Sequence, residues 1–231
     1  MDNSKYDFAA MAWPDIKKVK SVILPIGSVE QHGLHLPLAT DAIIAQSLSV
    51  EAGRRLKIPV LPTLYYSHSP EHMGFPGTIT ISKIAFLKYL SEICNSLERS
   101  GIKRIFIVNG HGGNCRLLDI LEKRAKNSKS IVIIDAAWEI VEGAGIDTKD
   151  MCHADELETS LLLYLRPKFV RTNKTVDEFP LVIKRNMDLM NWHKYTKSGT
   201  VGYPSRSSRN KGNKYFHLML KQLMKKIEQA L

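Results

Sequence analysis

The chain has 231 residues, 44% hydrophobic and 24% charged, the balance of a soluble globular protein long enough for a sizeable core. No apolar run approaches the roughly 18 residues of a membrane helix, and the first stretch, MDNSKYDFAAMAWPDIKK, lacks the basic-then-apolar layout of a signal peptide. The net charge is +10, and the excess lies in the last third: residues 161–231 carry 15 Lys/Arg against 4 Asp/Glu, residues 1–160 carry 18 against 19.

That asymmetry suits an anionic substrate such as a phosphate ester, or nucleic acid, as well as it suits a plain solvated surface. The three cysteines, Cys94, Cys115 and Cys152, are widely spaced. They form no disulfide framework, and the expected compartment is the reducing cytoplasm.

In chain order, SVILPIG (21–27) reads as a strand: short, β-branched and ended by glycine. A helix is expected over 41–56, opening on Asp41 as its cap. IPVLPTLYY (58–66) reads as a second strand. The helix expected over 82–101 has Ser82 to cap its start and Gly101 to end it. KRIFIVNG (103–110) and SIVIIDAAW (130–138) read as further strands, separated by a helix over 115–127. Helices over 155–165 and 213–231 complete the pattern. Residues 166–212 are polar, basic and irregular, and read as a flap or insertion within a single domain spanning 1–231. Near-continuous apolar strands alternating with helices predict an α/β fold with a mostly parallel sheet and helices on both faces.

In such folds ligands bind beyond the carboxyl ends of the strands. The chemistry-bearing residues gather there. Glu30, His32 and His35 follow the first strand, and His68, Glu71 and His72 follow the second. Asn109, His111 and Asn114 follow the third. Trp138 follows the fourth, and then His153, Asp155, Glu156 and Glu158. Six of the eight histidines fall in these four loops.

Each has a plainer role when taken singly. Asp41 can cap a helix, Glu158 can complement a helix dipole, and a lone histidine can serve the core. Together, Glu30-x-His32, Asp41 and His111 form a mixed imidazole–carboxylate set suited to zinc, manganese or iron(II). Four side chains are few for two ions unless a carboxylate bridges, and Asp41 is the natural bridge. The glycines of NGHGGN fit neither dinucleotide nor P-loop spacing, and more simply let the chain turn so that His111 faces the sheet edge. No GxSxG supports a serine hydrolase. Cys115 and Cys152 remain open as nucleophiles. A nucleic-acid-binding protein has the basic last third in its favour but no recognisable binding module.

LPIGSVEQHGLHLPLATD, SPEHMGFPGTITIS, VNGHGGN and HADELETS, in this order, resemble the motifs of the creatininase (creatinine amidohydrolase) family, and GTVGYPSRSSRNKG is similar to its C-terminal glycine–proline segment. The resemblance implies a three-layer α/β/α fold. It also implies a binuclear centre, of zinc, iron(II) or manganese, whose bridging hydroxide hydrolyses an amide-type C–N bond. Glu30 and His111 would bind one metal, His32 the other, and Asp41 both. His153, helped by Glu158, would protonate the leaving nitrogen, with His72, Gly77, Thr78 and Trp138 at the substrate. The family's usual Glu two residues after the NGH histidine is Gly113 here, so Glu158 or water would complete the second site. NGHGGN is similar instead to the branch that deformylates a formylaminopyrimidine ribonucleotide in riboflavin and deazaflavin synthesis, and to a peptidase that matures a peptide cofactor. The basic last third favours the first, whose substrate carries a phosphate. Creatinine hydrolysis and peptide cleavage are the alternatives. The resemblance also implies a homo-oligomer acting on a small molecule, with no nucleic acid and no membrane.

Overall fold

The computed structural model describes residues 3–124, 130–136, 139–143, 145–147, 149–186 and 189–231. Strands β1 (Ser21–Ile26), β2 (Arg104–Asn109) and β3 (Ile131–Asp135) pair in parallel in the order β1–β2–β3. Ser21 lies opposite Arg104 and Ile26 opposite Asn109, and Asn109 in turn lies opposite Asp135. The carboxyl ends are therefore level, and the loops that leave them open onto one place.

Alternation along each strand feeds two cores. Ile23, Phe106, Val108 and Ile134 face one side, against α2 (Thr40–Leu56), α5 (Glu139–Gly143), α6 (Glu156–Leu165) and α8 (Arg209–Ala230). Val22, Leu24, Ile26, Ile105 and Ile107 face the other, against α3 (Lys83–Arg99) and α4 (Cys115–Arg124). This is the expected three-layer α/β/α fold. It explains the unbroken apolar runs: a strand buried on both faces has no solvent side to mark with polar residues. Fully burying one Leu, Ile or Phe contributes about 1.5–3 kcal/mol. Among the described residues no helix is long and apolar enough to cross a membrane.

Three expectations change. Residues 58–66 do not form a regular strand. They run beside β1 through single parallel bridges, Ile23–Val60 and Ile26–Leu64. Pro25 in β1 has no N–H to give the Leu61 carbonyl, and the pairing is interrupted between Leu61 and Leu64. Asp41 is not the cap of α2. The cap position is Ala39, and Asp41 sits in the first turn with its side chain turned inward. The other caps follow the sequence: Ser82 accepts from the Ala85 N–H, and Asp155 from those of Leu157 and Glu158. α8 begins earlier than expected, at Arg209, because the Ser208 side chain accepts from the Lys211 N–H.

Among the described residues, 166–212 hold short turns, the brief helix α7 (Leu181–Arg185) and the start of α8, with a small core of Ile183, Trp192 and Val201. They are tied down by His153–Val201 backbone bonds of 2.9 and 3.0 Å and by the Arg171 N–H to the His35 carbonyl at 2.8 Å. The segment lies across the ends of the strands.

Candidate metal centre

The start of α2 is pressed against the strand ends. A Cβ on Gly27 would stand 2.2 Å from the Ala42 nitrogen, and one on Gly110 2.5 Å from the Asp41 carbonyl. Only glycine allows that approach, and it inserts Asp41 between the loops after β1 and β2. Glu30 and His32 come from the first loop, which folds back so that the Glu30 N–H reaches the Leu38 carbonyl at 2.9 Å. His111 comes from the second.

The imidazoles are oriented by what their outer nitrogens can do. His111 Nε2 lies 3.2 Å from the His68 carbonyl, which can only accept, so Nε2 carries the proton. Its bare Nδ1 then faces Glu30 Oε2 at 3.3 Å and Asp41 Oδ2 at 3.1 Å. His32 is held the same way. Its Nδ1 donates to the Glu30 carbonyl at 3.2 Å, and its Nε2 faces Asp41 Oδ1 at 2.9 Å and Glu158 Oε1 at 3.8 Å. In the neutral imidazoles these lone pairs converge on the carboxylates, and without a cation the carboxylates favour a proton at each point instead. Glu30 Oε2 and Asp41 Oδ2 are buried without a hydrogen-bond partner. Buried orphaned carboxylate oxygens are costly unless a cation neutralises them. The donor set, two imidazoles and three carboxylates, suits a divalent ion of the zinc or manganese type.

The electrostatics agree. Burial disfavours a charged His111 or His32, yet the facing carboxylates raise both well above the ordinary histidine value. Burial likewise opposes the Asp41 charge, but the two imidazoles hold its carboxyl well below the usual range. The pocket demands positive charge at two points.

His153 and His72 form the opposite wall. They stack at 4.5 Å between ring centroids, and Trp192 closes over them edge-on, 4.5 Å from His72 and 5.5 Å from His153. His153 Nε2 donates to the Gln31 carbonyl at 2.7 Å, which leaves Nδ1 bare and 3.8 Å from Glu30 Oε1. Burial, then repulsion from His32, lowers His153 to about 4 and keeps it neutral. Glu158 Oε2 accepts from the Ala154 N–H at 2.6 Å, which aims its other oxygen at His32.

These residues open into a cavity of about 750 Å³, lined among others by Lys83, Arg116, Lys184, Arg185 and Met190. The structure thus brings Glu30, His32, Asp41, His111, His153, Glu158 and His72 together. Gly77 and Thr78 do not line the cavity. Gly77 sits at φ +92° in a turn against Leu38, and Thr78 Oγ1 accepts from the Gln31 N–H at 3.1 Å. Trp138 lies outside the described residues. His35 stands apart, with Nε2 paired to Thr159 Oγ1 at 2.8 Å. Where a side chain on Gly113 would begin, Glu71 Oε1 already stands 3.1 Å away. Sequence reasoning missed Gln31 and Trp192. Gln31 sits between two ligand candidates, but its own type signals nothing. Trp192 is brought in by long-range folding.

The creatininase family model, described as creatinine amidohydrolase, matches residues 9–227. The chain belongs to the creatininase family. Family members are hydrolases acting on C–N bonds, and this chain is a creatininase-family amidohydrolase. It is 31% identical to a mycofactocin precursor peptide peptidase of Mycobacterium tuberculosis (strain ATCC 25618 / H37Rv), over 90% of this chain and 84% of that protein. It is 25% identical to a 2-amino-5-formylamino-6-ribosylaminopyrimidin-4(3H)-one 5'-monophosphate deformylase of Methanosphaera stadtmanae, over 61% of this chain and 59% of that one. Among solved structures, a creatinine amidohydrolase (creatininase) superimposes with a TM-score of 0.84 at 22% identity, over 97% of each chain.

Proposed function

We propose that this chain is a two-cation amidohydrolase. Glu30 and His111 would hold one divalent ion, His32 and Glu158 the second, with Asp41 shared. One observation carries the reading: the inward nitrogens of His111 and His32 meet opposite oxygens of the same carboxylate, at 3.1 and 2.9 Å. Bound divalent ions at these points supply Lewis-acid polarisation of the scissile carbonyl and acidification of water.

The chain's own residues do the rest. His153 is neutral, with its bare Nδ1 turned to the centre, so it can take a proton from water and deliver it to the departing nitrogen. Glu158 and the Gln31 carbonyl fix its surroundings. Trp192 and the 166–212 segment cover the imidazole pair and limit bulk water there.

At the level of substrate, the lysines and arginines around the cavity favour an anionic molecule, and the volume exceeds what a creatinine-sized ring requires. We assign a formylaminopyrimidine ribonucleotide as the first candidate, deformylated at its formamide. A second reading, cleavage of a peptide precursor, has its own support in the higher and longer similarity to the mycofactocin peptidase. The test is an anaerobic assay of protein loaded with Zn(II), Mn(II) or Fe(II), offered the formylaminopyrimidine ribonucleotide, creatinine and a short peptide. Release of formate supports the first reading. Peptide cleavage without formate release replaces it with the second. No hydrolysis of any amide by any metal form would sink the proposal.

A further inference from the structure

Gln31 lies between Glu30 and His32, and its polar atoms are engaged on several sides. Its backbone N–H goes to Thr78 Oγ1 at 3.1 Å, and its backbone carbonyl accepts from His153 at 2.7 Å. Its side-chain oxygen accepts from the Gly33 N–H at 2.9 Å. That bond fixes which end of the amide is the nitrogen. The nitrogen has two protons and two acceptors: the Gly199 carbonyl at 3.0 Å and His72 Nδ1 at 2.9 Å. It also lies 2.9 Å from His153 Nε2, a contact between two N–H groups that both donate elsewhere.

A donor at Nδ1 forces the proton of a neutral His72 onto Nε2. His72 Nε2 is 3.3 Å from Glu30 Oε1. Glu30 thereby has one oxygen engaged and keeps Oε2, the orphaned one, directed at His111 Nδ1 and the centre. We infer that Gln31 and His72 form a positioning relay that orients Glu30 toward the cation, anchored at its far end by the loop around Gly199.

The anchor is built for rigidity. Gly199 has φ +84°, and a Cβ there would stand 1.9 Å from Gln31 Oε1, so no other residue leaves the amide in place. The loop is gripped by Glu178, whose carboxylate accepts from Thr196 Oγ1 at 2.7 Å, the Lys197 and Ser198 N–H groups at 3.0 Å, and Ser198 Oγ at 2.6 Å. The relay therefore runs from a surface carboxylate in the 166–212 segment to a residue of the centre. Neither Gln31 nor His72 needs to touch the cation. Groups that orient metal-bound side chains are typically worth 10–100-fold in affinity.

The inference rests on the two-cation reading for its effect on affinity, but its geometry can be read separately. Long-range proton–nitrogen NMR of the full ¹⁵N-labelled chain, without metal and with zinc, reports which nitrogen of His72 carries the proton. The expected result is Nε2–H in both. Zinc affinity is then measured by chelator competition. Gln31→Met, His72→Ala and Gly199→Ala should each bind zinc 10–100-fold more weakly. His72→Gln, which restores a donor near the Nε2 position, should stay within about threefold of the parent, well inside that loss. A His72 protonated on Nδ1, or a His72→Ala chain that binds zinc as tightly as the parent, would overturn the relay. A parent chain that binds no zinc yet keeps Nε2–H supports the relay while defeating the two-cation reading.

Discussion

Glu158 Oε1 stands 3.8 Å from His32 Nε2, although the two residues are 126 positions apart. The approach brings a carboxylate from the start of α6 to the inward nitrogen of His32. Under the proposed two-cation arrangement, Glu158 would be the second ion's own carboxylate ligand. Glu158→Gln should leave the Ala154 contact possible but lower the bound metal from two ions to one, measured by metal analysis after dialysis. Two tightly held ions in that variant would remove Glu158 from the ligand set.

Asp41 is the only described carboxylate that faces both His32 and His111 within hydrogen-bonding distance. Asp41→Ala should therefore lose both ions together and nearly all activity. Circular dichroism should stay helical, since Asp41 does not cap α2. Full turnover with two ions bound would disprove the bridge.

His153 should behave differently. It lines the same space but its exposed lone pair faces Glu30 across 3.8 Å. His153→Ala should keep both ions and lose about 10²–10⁴ in kcat, the usual worth of a positioned acid–base group. Normal turnover would end that role.

His35, which the proposed centre does not use as a ligand, gives a pH prediction for stability. Burial, then the neighbouring His32, lowers it to about 4, against an ordinary histidine value of 6.5. The folded state thus binds fewer protons than the unfolded chain between those values, so stability is complete above about pH 6.5 and falls as pH drops toward 4. The loss is up to about 3 kcal/mol, at roughly 1.4 kcal/mol per unit. Urea melts of the parent and His35→Gln between pH 7 and 4 should show a shallower decline for the variant. Parallel declines would mean His35 takes up its proton without cost.

Much of this was legible from the chain because burial on two faces leaves an unmistakable mark. Runs such as RIFIVN have no other economical reading, and glycines and polar residues at their ends announced where the loops converge. Asp41 was harder. An aspartate at the start of a helix usually caps it, and only the close approach allowed by Gly27 and Gly110 turns it inward. The 58–66 segment reads as a strand from its apolar content, and its interruption comes from Pro25 in the neighbouring strand. Gln31 and Trp192 were invisible for a different reason: an amide and an indole acquire meaning only from partners distant in sequence, His153, His72 and Gly199.

The interrupted 58–66 segment also bears on how the molecule behaves in a crowd. A bare sheet margin offers its amides to any passing chain and invites stacking into aggregates. Here Pro59 and Leu61 turn inward to Ile23 of β1, and the outward-facing Val60 is already bonded to the Tyr6 carbonyl at 2.8 Å and the Phe8 N–H at 3.0 Å. The stretch from Tyr6 to Phe8 thus already holds, at Val60, the foothold that a foreign strand would need on that margin.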